Sequence, residues 1–125
     1  MTTPRIVRTF QRRFEASVEA GTKLQTVRLT PKRIPQPGWL IDCRAWTGLP
    51  YRSKQRQLRV GKITLVSPFS ISASAQMLID GRVLAASEAN DLAKQDGFRD
   101  GNQMICWFEE HHGLPFTGIL IQWRR

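Results

Sequence analysis

The sequence predicts an α+β fold in which a small, mostly antiparallel β-sheet or β-barrel is flanked by about three helices. Several strand-like segments follow one another without helices between them, and such runs favour antiparallel pairing over the parallel sheets of alternating βα chains. The chain also has 125 residues, of which 41% are apolar, and this size suits one buried core. We therefore expect a single domain over residues 1–125, with its core between about residues 10 and 123.

The first helix is predicted by the spacing of apolar residues between Phe10 and Ala20. Phe10, Phe14 and Val18 recur every four residues, so they lie on one face of a helix. Gly21 follows at the position where a left-handed helix cap is common. We therefore expect the helix to end there.

A short strand is predicted directly after this helix. Alternation places Val27 and Leu29 on an inward face and leaves Thr26 and Arg28 on the solvent or ligand side. Lys23 lies just before the strand. We therefore expect Lys23, Thr26 and Arg28 to face a common cleft.

The middle of the chain predicts a basic loop and further strands. Residues 31–38 contain three prolines and a glycine, which favours an extended loop. Residues 39–46 alternate as a strand that places Cys43 in the core. In the next strand the alternation changes phase at Gly61 and Lys62, which predicts a β-bulge at those residues.

A hairpin and a second helix are predicted next. Asp80 and Gly81 lie between apolar flanks, and Asp-Gly is a strong hairpin signal. Ser87 is a typical helix N-cap, so we expect a helix from Ser87 to about Gln95.

A third helix and a final strand complete the prediction. Asp100 and Gln103 have the spacing of a capping box, which predicts a helix start at Asp100. Near the C-terminus Ile119, Ile121 and Trp123 alternate, so we expect them to point inward from a strand.

Basic residues are concentrated in the first half of the chain. The net charge is +9 overall, but residues 1–60 carry 13 Lys/Arg against three Asp/Glu, whereas residues 61–125 carry six against seven. Such a surface attracts phosphates, and aromatic side chains among the cations can stack on unpaired bases. We expect RNA or another single-stranded nucleic acid as partner; a basic surface without a partner is the alternative. The predicted contacts are Arg28, Lys32, Arg33, Arg44, Trp46, Tyr51, Arg52, Lys54 and Arg56.

The cysteines and histidines do not have the spacing of a metal site. Cys43 and Cys106 stand alone, and the pair His111-His112 lacks further ligands, so we predict no metal and no cofactor. His111 falls on the apolar face of the third helix and is expected to be packed. No segment approaches the ~20 apolar residues that span a bilayer, and no secretory signal is evident, so we expect a cytoplasmic protein with reduced thiols and no membrane contact.

Gly21, Lys23, Thr26 and Arg28 form the spaced pattern GxKxxTxR, and the chain closes on DGFRDGNQMICWFEEHHGLPFTGILIQW. Together these segments resemble the ASCH domain family of PUA-like β-barrel modules over nearly the whole chain. The resemblance implies a barrel of about six strands with a cleft between the barrel and the helices. It also implies a relation to modules that bind RNA or read modified bases.

Some small bacterial members that are similar in this signature act as amidohydrolases on acetylated cytidine nucleosides. The resemblance assigns the signature lysine to Lys23, the threonine to Thr26 and a downstream carboxylate to Asp96, where the hydrolases usually have the longer glutamate. In such chemistry Thr26 could attack and Lys23 could take its proton, while Asp96 could orient or protonate and Arg28 could hold an oxyanion or phosphate. Each residue also has an ordinary structural role available, as a helix-end lysine, a strand threonine and a solvated arginine. Asp96 is harder to explain in this way, because a carboxylate is unfavourable in the last turn of a helix.

Two functions from different classes are therefore expected. The first is a nucleic-acid-binding module of the ASCH type that binds RNA or single-stranded nucleic acid through a basic cleft. The alternative is a small amidohydrolase that deacylates a modified nucleoside with Lys23, Thr26 and Asp96.

Overall fold

The computed structural model describes residues 2–125 and has an α+β architecture, with three helices and one mixed sheet of seven strands. In chain order the elements are β1 (Arg5–Thr9), α1 (Arg12–Ala20), β2 (Gln25–Leu29), β3 (Leu40–Trp46), β4 (Gln55–Ile71), β5 (Met77–Ile79), β6 (Arg82–Val83), α2 (Ala86–Gln95), α3 (Gly101–His112) and β7 (Phe116–Arg124). The predicted α+β class and the three helices are confirmed.

The sheet does not close into the expected barrel. The long strand β4 pairs antiparallel with β3 over its first half and with β7 over its second half. Beyond β3 lies β1, in the parallel pairing that makes the sheet mixed, and beyond β7 lies β2. A closed barrel would join the free edges of β1 and β2, which do not pair here. We call the gap between these two edges the seam.

The N-terminal strand was not predicted from the sequence. Residues 5–9 form β1, and helix α1 begins at Arg12, so Phe10 precedes the helix instead of starting it. Charged and polar residues at three of the five β1 positions hide the apolar alternation, and the strand forms because β3 offers it a parallel edge. Phe10 is nevertheless buried in the core.

The phase change in β4 is present, but the bulges lie on either side of Gly61 and Lys62. One register shift leaves Leu58 without a partner opposite β3, and the other leaves Thr64 without a partner opposite β7. The first of these extra residues changes the phase of the strand, so that Leu58 and, beyond it, Gly61 and Ile63 are all buried.

The core lies between the sheet and the helices. Cys43 is fully buried, as predicted, and Ile119, Ile121 and Trp123 of β7 are buried as well. Leu120 is also buried, because residues on both faces of β7 are covered.

The ends of the later elements partly match the sequence prediction. Asp80 and Gly81 both have positive φ, of 51° and 80°, so the hairpin turn is confirmed. In contrast, α2 starts at Ala86 and not at Ser87, with Glu88 accepting a hydrogen bond from the backbone N–H of Ala85 at 3.0 Å.

Asp100 caps α3 as predicted, but the capping box is incomplete and the histidine of the helix is not packed as expected. Asp100 Oδ1 accepts from the N–H of Gln103 at 2.9 Å, whereas Gln103 Oε1 accepts from the N–H of Arg99 at 2.6 Å and not from that of Asp100. His111 is exposed, and its ring stacks on Trp107 with centroids 4.1 Å apart.

Candidate functional site

A cavity of about 390 Å³ opens where β1, β2 and the ends of α2 and α3 meet. Its walls include Phe10 and Thr9 from the β1 side and Thr26 and Arg28 from β2. The cavity therefore lies at the seam, where the barrel is left open. Arg28 crosses the seam, since its Nη2 donates to the backbone carbonyl of Thr9 at 2.8 Å.

Lys23 and Asp96 form a buried ion pair in this cavity. Lys23 Nζ lies 3.4 Å from Asp96 Oδ1 and donates to the backbone carbonyl of Asp96 at 2.5 Å. The two residues are 73 positions apart in the chain, and both line the cavity. The aspartate therefore reaches the lysine despite its short side chain.

The same contact explains how a carboxylate is tolerated at the end of α2. The backbone carbonyl that Lys23 binds belongs to the C-cap of the helix, where the negative end of the helix dipole lies. The lysine thus complements the dipole of α2, and not that of α1, which precedes it in the chain. Its positive charge offsets both the dipole and the carboxylate.

Gln25 is a site residue that the sequence reasoning missed. It is fully buried, and its Nε2 donates to Asp96 Oδ1 at 3.2 Å and to the carbonyl of Leu92 at 3.1 Å. Its own Oε1 accepts from Gln122 at 3.3 Å. The sequence contained one indication of this role: Gln25 is polar but lies on the same face of the strand as Val27, which was predicted to point inward. Gln25 fixes Oδ1 of Asp96, while Oδ2 accepts no hydrogen bond from residues 2–125.

Gly97 brings the carboxylate into the cavity. Its φ is +101°, and a Cβ there would lie 2.8 Å from the ring of Phe14. Any other residue would therefore be strained and would push against the cavity wall. The glycine lets the chain turn immediately after Asp96 and pack Phe98 against Phe14, with ring centroids 5.8 Å apart.

Thr26 and Arg28 lie on the same face of β2, as the alternation predicted. Arg28 Nε donates to Thr26 Oγ1 at 3.0 Å, so the threonine proton is free to be given to another group. Thr26 is buried and Arg28 half-buried. Val27 is buried as expected, but the inward prediction for Leu29 is wrong, because Leu29 is 59% exposed at the free edge of the sheet.

Burial moves the pKa values of the paired groups toward each other. It lowers the pKa of Lys23 below the ordinary range of lysine, with the Asp96 carboxylate acting in the opposite direction. It raises the pKa of Asp96, against the effects of Lys23 and Gln25. Burial also lowers the pKa of Arg28 to about 10, which still leaves the guanidinium charged at neutral pH. The site therefore combines a lysine that loses its proton more easily, a carboxyl that keeps its proton more easily and a fixed cation.

Aromatic rings form much of the remaining wall. Lys23 Nζ lies 4.9 Å from the ring centroid of Phe14, and the guanidinium of Arg28 lies 4.8 Å from that of Phe10. Phe98 and Trp107 add a further pair of rings, 5.9 Å apart. Such a lining suits a flat, partly polar ligand such as a nucleobase.

The predicted nucleic-acid contacts lie in different surroundings. Arg28 belongs to the cavity, whereas Arg44 is 2.7 Å from Asp42 and Arg56 pairs with both Glu15 and Glu19. The remaining predicted residues are spread along the loops and strand ends between residues 32 and 54. Arg33 covers Trp39, Trp46 and Tyr51 form a tilted ring pair 5.1 Å apart, and Lys32, Arg52 and Lys54 are exposed.

Among residues 2–125 the other reactive groups do not form a second centre. Burial raises the pKa of Cys43 to about 12, so its thiol is not activated, and Cys106 is a free, exposed thiol. Within residues 2–125 there is no cluster of three or more His, Cys, Asp or Glu side chains that could hold a metal ion. His112 lines the mouth of the cavity, which the sequence did not indicate.

No helix in the part of the chain that the structure describes is both long and apolar enough to cross a membrane.

Comparison with known proteins identifies no relative: no protein-family model, curated protein or solved structure matches the chain. The residues of the cavity are therefore the basis for assigning a function.

Proposed function

We propose that the protein is a small amidohydrolase that removes an acyl group from the amine of a modified nucleoside. One observation carries the proposal. Lys23, Thr26, Arg28 and Asp96 all line one cavity, in which Lys23 pairs with Asp96 and Arg28 holds Thr26.

The four residues divide the steps of amide cleavage among them. Thr26 Oγ1 attacks the acyl carbon and its proton passes to neutral Lys23, while Arg28 stabilises the oxyanion. The C–N bond then breaks, and the leaving amine takes its proton from the Lys23–Asp96 pair. Water hydrolyses the resulting Thr26 ester, which releases the carboxylic acid and restores the enzyme. Burial lowers the pKa of Lys23 and raises that of Asp96, which shifts the ion pair toward its neutral tautomer, the neutral lysine and protonated carboxyl that these steps use.

The cavity also suits the substrate class. Its volume of about 390 Å³ falls in the usual range of small-molecule sites, roughly 300–1,000 Å³. Phe10, Phe14 and Trp107 offer faces and edges for a base, and Arg28 offers a fixed donor to a carbonyl oxygen. An acylated pyrimidine nucleoside has both a flat base to stack on these rings and a carbonyl oxygen to accept from Arg28.

Membership of the ASCH family, with its PUA-like fold, is part of the same proposal. The pattern GxKxxTxR supports it because each residue of the pattern has a physical role. Gly21, at φ +77°, closes α1, and the other three residues line the cavity. The sheet remains open at the seam, so the proposed relation is to an opened form of the barrel.

The test of the hydrolase is turnover of N4-acetylcytidine, followed by chromatographic detection of cytidine and acetate. We expect Lys23→Met and Thr26→Val to lower kcat/KM at least about 100-fold, since each removes one group of the acid–base and nucleophilic machinery. Lys94→Ala, at an exposed lysine of α2, is the matched control and should retain full activity. Circular dichroism checks that the variants are folded. Absence of turnover across a panel of acylated nucleosides, or full activity of both site variants, would contradict the proposal.

Binding of RNA or single-stranded nucleic acid without chemistry is a second proposal, favoured by the exposed cations near residue 50. Arg52 and Lys54 are exposed and make no ion pair with another residue in the range 2–125. We expect the affinity for labelled single-stranded RNA to fall with salt on a log–log slope of several units. Lys54→Ala should reduce that slope by about one, whereas Arg56→Ala, whose charge is already paired with Glu15 and Glu19, should change it less. Salt-independent or undetectable binding would rule this out.

A further inference from the structure

A second depression adjoins the cavity on the β1 side of Arg28. This outer groove has a volume of about 520 Å³ and shares Thr9, Phe10, Gln11 and Arg28 with the cavity. The two spaces are therefore neighbours that share these four residues as a common wall. A ligand that fills both must be longer than a nucleoside.

An aromatic pair forms the far wall of the outer groove. Trp46 and Tyr51 lie with ring centroids 5.1 Å apart, and Tyr51 is 88% exposed. A ring exposed in this way offers its face for stacking, and the flat face of an unpaired base is a suitable partner. Tyr51 is held in a turn at φ 63°, so its backbone position is constrained.

The charge of the outer groove favours an anion. Arg12 and Arg28 line it, and neither forms an ion pair with a carboxylate among residues 2–125. Glu15 is the acidic residue of the lining, but Arg56 lies 3.1 Å from it and offsets its charge. The net charge of the groove lining is therefore positive. This charge lies between the cavity, which suits one base, and the aromatic pair, on which a second base can stack.

We propose that the outer groove is a second nucleotide subsite, so that the substrate is a single-stranded nucleic acid carrying an acylated base. The acylated base enters the cavity, the next phosphate lies near Arg12 and Arg28, and the neighbouring base stacks on Tyr51. A base in a duplex cannot enter either space without leaving its stack, which makes single strands the preferred form. The part of this inference that concerns the acyl group rests on the proposed hydrolase function; the subsite itself does not.

The test compares a mononucleoside with a trinucleotide that carries the same N4-acetylcytidine, as RNA and as DNA. We expect the trinucleotide to have at least a tenfold higher kcat/KM than the nucleoside. Tyr51→Ala should remove most of this preference and leave hydrolysis of the nucleoside unchanged, whereas Tyr51→Phe, which keeps the ring, should retain the preference. The ratio of the RNA and DNA values shows whether the 2′-hydroxyl contributes.

A binding measurement separates failure of the subsite from failure of the hydrolase. Fluorescence anisotropy of a labelled, unacylated trinucleotide reports on the groove even when no substrate is turned over. We expect Tyr51→Ala and Arg12→Ala each to weaken this binding about fivefold or more, with Tyr51→Phe near the wild type. Unchanged binding in both alanine variants, or an equal loss of nucleoside and trinucleotide hydrolysis in Tyr51→Ala, would overturn the subsite.

Discussion

Asp42 and Asp96 are both buried, yet their surroundings shift the pKa of the carboxyl group in opposite directions. Asp42 is completely buried in β3 and receives hydrogen bonds from Arg44 at 2.7 Å and Gln57 at 3.0 Å, with Arg5 3.8 Å away. Both of its oxygens are therefore satisfied. Burial raises the pKa of Asp42, but the hydrogen bonds from Arg44 and Gln57 outweigh burial and hold it below the usual range.

Asp96 has fewer partners for the same charge. Lys23 and Gln25 both approach Oδ1, and Oδ2 is left without a protein donor within the described chain. Burial consequently dominates and raises its pKa. The comparison teaches that a buried carboxylate with both oxygens hydrogen-bonded serves the fold, whereas one with an oxygen that has no protein donor beside a cavity is available to a ligand.

The largest expected difference between the two regions is in activity and stability after the same isosteric change. Asp96→Asn removes the acid of the proposed reaction, so we expect kcat/KM for acetylcytidine to fall about 100-fold or more. The loss of stability should be smaller than that of Asp42→Asn, because Lys23 keeps its hydrogen bond to the backbone carbonyl of residue 96. Asp42→Asn leaves Arg44 or Gln57 facing an amide hydrogen, so we expect the free energy of unfolding to fall on the order of 2 kcal/mol with turnover retained at a temperature where the protein is folded. Urea unfolding and the chromatographic assay measure the two effects. The comparison breaks if the two variants exchange these phenotypes.

A smaller effect, on protonation alone, sharpens the comparison. Carbon-13 NMR of the two carboxyl groups should show Asp42 titrating below and Asp96 above the value of about 3.9 for an unfolded aspartate. The lowered pKa of Asp42 contributes stability that is complete above about pH 3.9 and is lost as the pH falls through its folded-state pKa. The raised pKa of Asp96 contributes stability that is present below about pH 3.9 and is lost as the pH rises through its folded-state value.

The acid limb of the stability curve provides the check on these signs. The difference in unfolding free energy between the wild type and Asp42→Asn should shrink as the pH is lowered from about 5 toward 2. A difference that grows over that range, or an Asp96 resonance whose titration midpoint lies at lower pH than that of Asp42, would show that the two environments have been assigned the wrong way round.

Much of the fold could be predicted because its signals are local. The turn at Asp80 and Gly81, the cap that Asp100 forms on the N–H of Gln103, and the period-two pattern of β7 each depend on neighbouring residues. The first strand could not be predicted in this way, since the parallel edge of β3 lies more than 30 residues away in the chain.

The sequence by itself determined the residues of β2 that can face a ligand, because alternation along a strand is a property of the backbone. It also determined where the positive charge lies. Only the tertiary structure decided that Asp96 meets Lys23, that Gln25 holds one of its oxygens and that the sheet stays open at the seam. Those contacts join segments about 70 residues apart, and their geometry depends on how α2 packs across the edge of β2, which no local pattern encodes.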